Sequence, residues 1–184
     1  MRLDYNSPVI LTYSLICVIV FLANFLTHGL VNQVITLSPY FDFLSPLSYL
    51  RLFSYIFGHA SVDHILGNLS FILLLGPILE EKYGGQNLIF MIGMTALATA
   101  IINILFFSTG ILGASGIVFM FIVLVSFANF KEGHIPLTFV VVMLLYVGKE
   151  VLNSFQPDNV SQFGHIAGGV CGSMFGFAAR WINK

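Results

Sequence analysis

Apolar runs of membrane-spanning length follow one another along this chain, and they limit what it can fold into. A transmembrane helix needs about 20 mainly apolar residues to cross about 30 Å of hydrocarbon. The first such run extends from residue 8 to residue 26, and others follow at intervals as far as residue 181. This pattern predicts a bundle of helices in a lipid bilayer.

The composition agrees with this pattern and excludes several classes of protein. Of the 184 residues, 58% are hydrophobic and only 8% are charged, whereas a soluble domain is about one quarter charged. The net charge of −1 provides no basic face for nucleic acid. Aromatic residues make up 15% of the chain, which argues against intrinsic disorder. We therefore expect one integral membrane domain surrounded by lipid, without a nucleic-acid partner.

The predicted fold class is an all-α, six-transmembrane-helix bundle that occupies residues 1–184 without a separate soluble domain. A signal peptide is the alternative for the first run. Asp4 lies in the segment before it, and no clean small-x-small cleavage site follows, so we expect a retained helix. The predicted helices cover about residues 8–26, 64–79, 88–107, 115–127, 136–151 and 163–181.

The long connection between the first two predicted helices, residues 28–63, has a mixed character. It contains prolines and charged residues but also the apolar stretches PYFDFL and YLRLFSYIF. We expect an interfacial segment of short helices, with Phe and Tyr at the level of the lipid headgroups. Asp63, at the end of this segment, is the predicted N-cap of the second membrane helix.

The distribution of Lys and Arg predicts the orientation. With the N-terminus inside, the cytoplasmic segments hold five of these residues and the outer segments hold two. The positive-inside rule then predicts that both termini are cytoplasmic and that the long connection lies outside. The inner set is Arg2, Lys82, Lys131, Arg180 and Lys184, and the outer set is Arg51 and Lys149.

Four polar side chains lie within the predicted helices, where polar groups are costly. His64 and Asn68 share a face of the second helix because they are four residues apart. Ser115 begins the fourth helix, and His165 lies near the start of the sixth. Counting at about 1.5 Å per residue from the charged inner ends places all four about 18–24 Å from the inner side. We therefore expect them at nearly one depth, towards the outer face.

This group of residue types suits acyl transfer. A serine hydroxyl such as that of Ser115 is a weak nucleophile until a base takes its proton, and His165 can be that base. An oxyanion needs fixed donors, which Asn68, His64 and the free N–H groups at a helix start can supply. Because no acidic residue lies at that depth in the predicted helices, we infer a Ser–His dyad rather than a triad.

Small residues predict how the fourth and sixth helices meet. Gly168, Gly172 and Gly176 repeat at four-residue spacing on the sixth helix, and Ser115 is surrounded by small residues. Such stripes allow the backbones of membrane helices to approach closely. Close approach is what a hydrogen bond between Ser115 and His165 requires.

Each of these features also has an ordinary structural interpretation. A lone membrane serine is usually bonded to its own helix, the pattern GxSG is short, and His64 with Asn68 can form an interhelical hydrogen bond. Their joint occurrence at one depth favours catalysis. No carboxylate or cysteine completes a metal site with His59 and His64, and no cofactor motif is present. We therefore expect neither a metal nor an organic cofactor.

Three segments that carry these residues resemble the rhomboid family of intramembrane serine proteases. They read RLFSYIFGHASVDHILGNLSFILLLGPILEEKYG, GASG and GHIAGGVCG. Their order and the predicted layout also match, so that the resemblance covers about residues 8–182. It implies Ser115 as the nucleophile and His165 as the general base.

The resemblance also implies supporting roles. His64 and Asn68 would stabilise the oxyanion together with the backbone N–H of Ser115. Gly113 and Gly116 would shape the turn that carries the nucleophile. The implied partners are the transmembrane segments of other proteins, cut near the outer face. The implied location is a bacterial inner membrane, with the active site opening to the outside.

The chain departs from the family pattern at two places. Leu50-Arg51 replaces a frequent Trp-Arg pair in the first loop, and Phe119 replaces a Tyr that stacks on the catalytic histidine. In the family the first loop, here about 29–62, lies partly in the membrane. A segment corresponding to 136–162 would control substrate entry. Neither departure changes the dyad, so we expect activity.

Two other classes of function compete with proteolysis. A non-proteolytic relative that binds membrane client proteins would have lost the Ser or the His, and both are present. A small transporter would have paired charges within the membrane or internal repeats. Repeats are not evident, and Lys149-Glu150 is the one candidate pair.

Overall fold

The computed structural model describes residues 5–127, 137–142, 144–145 and 162–182, and this part of the chain is built from helices. Its one extended pairing is an isolated antiparallel bridge between Leu37 and Ile111. A 3-10 turn at Tyr55–Phe57 follows the third helix. The helices are α1 (Pro8–Leu26), α2 (Leu30–Ile35), α3 (Pro46–Ser54), α4 (Val62–Tyr83), α5 (Gly85–Phe106), α6 (Ser115–Ser126), α7 (Leu137–Val142) and α8 (Gln162–Ile182).

Within the described residues, α1, α4 and α5 are long and apolar enough to cross a membrane. Helix α6 is equally apolar but has only 12 residues, or about 18 Å of rise. The all-α class is confirmed, with three candidate membrane spans. Half of the predicted fifth helix, 136–151, lies outside the described residues, and only its part in α7 and at 144–145 is seen.

Helix α4 differs from its prediction at both ends. It begins at Val62 instead of residue 64. It continues to Tyr83 instead of ending at residue 79, because the Glu80 side chain turns into the bundle. The prediction of Asp63 as the N-cap is wrong. The cap is Ser61, whose hydroxyl accepts the backbone N–H of His64 at 3.1 Å. Asp63 therefore lies in the first turn with its carboxylate unused for capping.

Glu80 connects the C-terminal end of α4 to the start of α1. The first N–H groups of a helix have no partner within the helix. Pro8 has no N–H, and the next two groups, those of Val9 and Ile10, both donate to the Glu80 carboxylate at 3.0 Å. A buried carboxylate thus acts as the N-cap of a neighbouring helix.

Helix α6 lies at the centre of the described bundle. It packs most extensively on α8 and also contacts α4 and α5. Most of its side chains are buried, including those of Met120 and Phe121. The Lys82 ammonium of α4 donates to the Phe127 carbonyl at 2.8 Å, at the C-terminal end of α6. Because α6 is short and enclosed, its first residue lies inside the protein.

The contact between α6 and α8 depends on glycine. A Cβ atom added to Gly168 would overlap the carbonyl of Gly116, and one on Gly172 would lie 2.6 Å from the Met120 carbonyl oxygen. Gly176 faces the ring of Phe127 in the same way. The glycine stripe therefore holds the backbones of two helices together, as expected from the sequence.

We expect Glu80→Ala to destabilise the protein by about 2 kcal/mol or more. The change leaves two buried or half-buried N–H groups of α1 without an acceptor. Unfolding in micelles by titration with a denaturing detergent measures the loss. Glu81→Ala is the matched control, since Glu81 is the next residue and is exposed. Equal losses in the two variants would contradict this role of Glu80.

We expect Gly168→Ala to lower the midpoint of thermal unfolding, because overpacking costs about 1–3 kcal/mol. The matched control is Gly93→Ala in the middle of α5, where an added Cβ meets nothing within 4 Å. That control should be neutral or stabilising, because Ala favours a helix over Gly. A neutral Gly168→Ala would show that the two helices can separate without cost.

Candidate active site

A cavity of about 670 Å³ opens between α4, α6 and the start of α8. Side chains from all three helices line it, as does part of the segment that precedes α6. The four polar residues expected at one depth, His64, Asn68, Ser115 and His165, all line this cavity. The tertiary structure therefore brings together residues that are up to 101 positions apart in sequence.

Ser115 is the first residue of α6, at the end of a fixed turn. Gly113, two residues earlier, has a φ of +134°, a conformation that favours glycine. A Cβ there would also lie 2.7 Å from Nε2 of His64. The N–H of Gly113 donates to the Tyr55 carbonyl at 2.9 Å. As the first helical residue, Ser115 keeps its own N–H free of intrahelical bonds.

The segment that leads into this turn is anchored to the first loop. Leu37 and Ile111 exchange two backbone hydrogen bonds, of 3.0 and 3.2 Å. Both residues are almost completely buried. Arg51, in turn, donates to the carbonyls of Gln33 and Val34 at the end of α2. The first loop thus supports the backbone that presents Ser115 to the cavity.

The close contact between α6 and α8 positions His165 at the cavity. A Cβ on Gly116 would lie 3.2 Å from the Gly164 carbonyl oxygen, so the neighbours of Ser115 and His165 are in contact. The ring of Phe119 stacks on the His165 imidazole, with 4.4 Å between centroids and 6° between planes. Phe119 is four residues after Ser115 and therefore on the same face of α6.

Two donors from α4 face the turn before Ser115. The N–H of Ala60 points at Nδ1 of His64 at 3.5 Å, so that Nδ1 accepts and the neutral ring carries its proton on Nε2. That nitrogen is directed at Gly113. Asn68 is 7% exposed, and its amide nitrogen has no hydrogen-bond partner in the described part of the chain. A buried, unpaired donor in a cavity suits an acceptor supplied by a ligand.

His59 has a structural position behind His64. It is fully buried, and its ring contacts that of His64 edge to face at 5.0 Å. Its Nδ1 lies 3.3 Å from the Phe57 carbonyl oxygen. Burial lowers the pKa of His59 to about 4, so the ring is neutral at neutral pH. An uncharged, fixed ring at this place restricts the orientation of the His64 side chain.

Sequence reasoning missed two residues that line the cavity. Tyr55 is buried, its hydroxyl donates to the Ala96 carbonyl at 3.0 Å, and its own carbonyl holds Gly113. Thr99 of α5 is 3% exposed and lies next to Gly116. The signal in the sequence was the series Thr95, Thr99 and Asn103, three polar residues at four-residue spacing in a largely apolar helix.

The other predicted site residues have two kinds of position. Gly113, Gly116 and Phe119 line the cavity with the four polar residues. Gly168 and Gly172 do not line it, and they act instead through the contact between α6 and α8. They therefore affect the site only by setting the distance between its two helices.

Comparison with known proteins agrees with this architecture. The family model of the rhomboid domain matches residues 46–182. The chain is 23% identical to the rhomboid protease GlpG of Haemophilus influenzae, over 99% of this chain and 96% of that protein. It is 33% identical to rhomboid-related protein 2 of mouse over 72% of this chain, and 29% identical to RHOMBOID-like protein 1 of Arabidopsis thaliana over 69%.

Three helices of membrane-spanning length, with a cavity between helices that holds several polar side chains, define an integral membrane protein. The family match covers most of its length, and the chain therefore belongs to the rhomboid family. The expected family is confirmed, and at family level the match supports a protease. The matched regions span 51% of the mouse protein and 33% of the Arabidopsis protein, so the chain covers about half of one relative and a third of the other.

We expect Phe119→Leu to reduce the activity that depends on His165 by about 2- to 10-fold. An aromatic contact contributes about 0.5–1.5 kcal/mol beyond the area it buries, and leucine would leave the imidazole free to rotate. Phe119→Tyr keeps the ring and is the control. Initial rates on one substrate measure both variants. A wild-type rate in Phe119→Leu would show that stacking does not orient His165.

Proposed function

We propose that this protein is an intramembrane serine endopeptidase that cleaves transmembrane segments near the outer face of the membrane. The observation that carries the proposal is the single cavity lined by Ser115, His165, His64 and Asn68. Membership of the rhomboid family supports a protease at the level of the family. The 23% identity to the Haemophilus influenzae rhomboid protease extends over nearly the whole chain.

In the proposed reaction, His165 takes the proton of the Ser115 hydroxyl as its oxygen attacks the scissile carbonyl carbon. The carbonyl π electrons move onto its oxygen to give a tetrahedral oxyanion. The C–N bond then breaks, and the imidazolium gives its proton to the leaving amine. Water hydrolyses the resulting ester of Ser115 by the same transfers in reverse, which releases the second product.

The oxyanion would form close to three donors. They are the unpaired amide of Asn68, the Nε2–H of His64 and the N–H of Ser115 at the start of α6. Donors that are already fixed need no reorganisation when charge develops, which is the main way that such sites lower a barrier. The positive end of the α6 dipole adds to their effect. No metal or organic cofactor takes part in this scheme.

We further propose six membrane helices at about 8–26, 64–79, 88–107, 115–127, 136–151 and 163–181, as the sequence indicates. Both termini would lie in the cytoplasm, and the cavity would open to the outside. The distribution of Lys and Arg supports this orientation. A bacterial inner membrane is the proposed location, and lipid and transmembrane substrates are the proposed partners. Substrates would need to unwind locally, because a peptide bond within a helix is shielded.

A non-proteolytic member that binds membrane client proteins is the second candidate, because the same cavity can hold an extended segment without cutting it. The two candidates differ in whether Ser115 is an activated nucleophile. Covalent reaction of Ser115 with an electrophilic probe therefore distinguishes a protease from a client-binding protein more directly than a measurement of substrate binding does.

We expect a fluorophosphonate probe to label the detergent-solubilised protein at Ser115, and Ser115→Ala to abolish the label. Ser70→Ala is the control, since the Ser70 hydroxyl donates to the Leu66 carbonyl of its own helix at 2.7 Å. We also expect His165→Ala to lower cleavage of a transmembrane reporter by at least about 100-fold. Asn68→Ala should lower it by about 10-fold or more. An unlabelled wild type, or equal labelling of Ser115→Ala, would leave the client-binding alternative.

A further inference from the structure

One charged residue in the cavity wall has no role in the proposed reaction. Asp63 is the one Asp, Glu, Lys or Arg among the described residues that line the cavity. It is exposed, and Ser61 performs the capping that the sequence assigned to it. Its carboxylate is therefore free to face whatever occupies the cavity.

Asp63 belongs to a stripe on α4. Asp63, Gly67 and Phe71 follow one another at four-residue spacing, so they share a face of the helix over about 12 Å. All three are exposed, and all three line the cavity. This stripe runs beside His64 and Asn68, the two proposed oxyanion donors, which are each one residue further along.

The middle of the stripe is open. A Cβ atom added to Gly67 would meet nothing within 4 Å, in contrast to the glycines that hold α6 against α8. Gly67 therefore leaves a notch in the cavity wall instead of serving a close helix contact. The notch has the Phe71 ring on its C-terminal side along α4 and the Asp63 carboxylate on its N-terminal side.

We propose that Asp63, Gly67 and Phe71 form a subsite that receives a lysine or arginine side chain of the substrate within about two residues of the scissile bond. The inference rests on the proposed proteolytic function and names a substrate preference for that site. The short distance follows because Asp63 and His64 are neighbours, with Cα atoms about 3.8 Å apart.

The chemistry of the stripe matches a long basic side chain. Lysine and arginine bury their methylene groups along apolar surface and keep the charged end in water. In this subsite the stem would lie in the Gly67 notch against the Phe71 ring. The ammonium or guanidinium group would reach outward to Asp63, where water is present. An acidic side chain in the same place would be repelled.

A charge scan of the substrate tests the proposal. Lys, Gln or Glu is placed in turn at each of the three positions on either side of the cut in a transmembrane reporter, and kcat/KM is measured. Exposed ion pairs contribute modest energies. At the preferred position we therefore expect kcat/KM to be about threefold higher for Lys than for Gln and about threefold lower for Glu than for Gln, or about tenfold higher for Lys than for Glu. This Lys-to-Glu ratio of kcat/KM should fall as the salt concentration rises.

Variants of the enzyme test whether the Lys-to-Glu ratio of kcat/KM depends on the Asp63 carboxylate. Asp63→Asn should bring the Lys-to-Glu ratio close to one, and Asp63→Lys should invert it. Glu81→Gln is the matched control, because it removes an exposed carboxylate at the opposite end of the same helix. That control should keep the wild-type ratio. A ratio that persists in Asp63→Asn would overturn the proposal, even if the protein folds and cleaves normally.

Binding separates this proposal from proteolysis itself. The same fluorescent transmembrane peptides are titrated into Ser115→Ala protein in micelles, with and without Asp63→Asn. A preference for Lys over Glu that Asp63→Asn removes supports the subsite, even if no protein variant cleaves the reporters and the proteolytic function fails. Cleavage and binding that ignore charge at every position would refute the subsite and leave the proteolytic function intact.

Discussion

The close contact between α6 and α8 is the constraint on which the site depends. Gly168 accepts no side chain because the carbonyl of Gly116 occupies that space. The same contact places Gly116 beside Gly164, and thereby Ser115 beside His165 at the cavity. In a bilayer, helices gain little from burying apolar surface against each other, so close backbone packing has to supply the attraction. The site is thus a product of how tightly two helices fit.

Away from this contact, charged side chains hold the ends of other helices in place. Glu80 caps the start of α1, Lys82 bonds the carbonyl at the end of α6, and Arg51 holds two carbonyls of the first loop. Each charged group satisfies backbone atoms that a helix end leaves unpaired. A chain with few charged residues therefore uses several of them for structure, while Asp63 lines the cavity and caps no helix.

Much of this arrangement was predictable from the sequence. The constant rise per residue of a helix predicts that His64, Asn68, Ser115 and His165 lie at one level, and the structure brings all four to one cavity. The roles proposed for them come from the family resemblance. The prediction was weaker where a polar residue turns inward: Glu80 was expected to end its helix, and it bonds a neighbouring helix instead.

The sequence by itself determined the class of protein, the all-α fold and the set of candidate site residues, since these follow from local periodicity, composition and the spacing of polar residues. Only the tertiary structure decided which way side chains face. It made Ser61 rather than Asp63 the cap, put His59 behind His64, and brought Tyr55 and Thr99 into the cavity wall. The physical reason is that depth depends on position along one helix, whereas orientation depends on which helices pack against it.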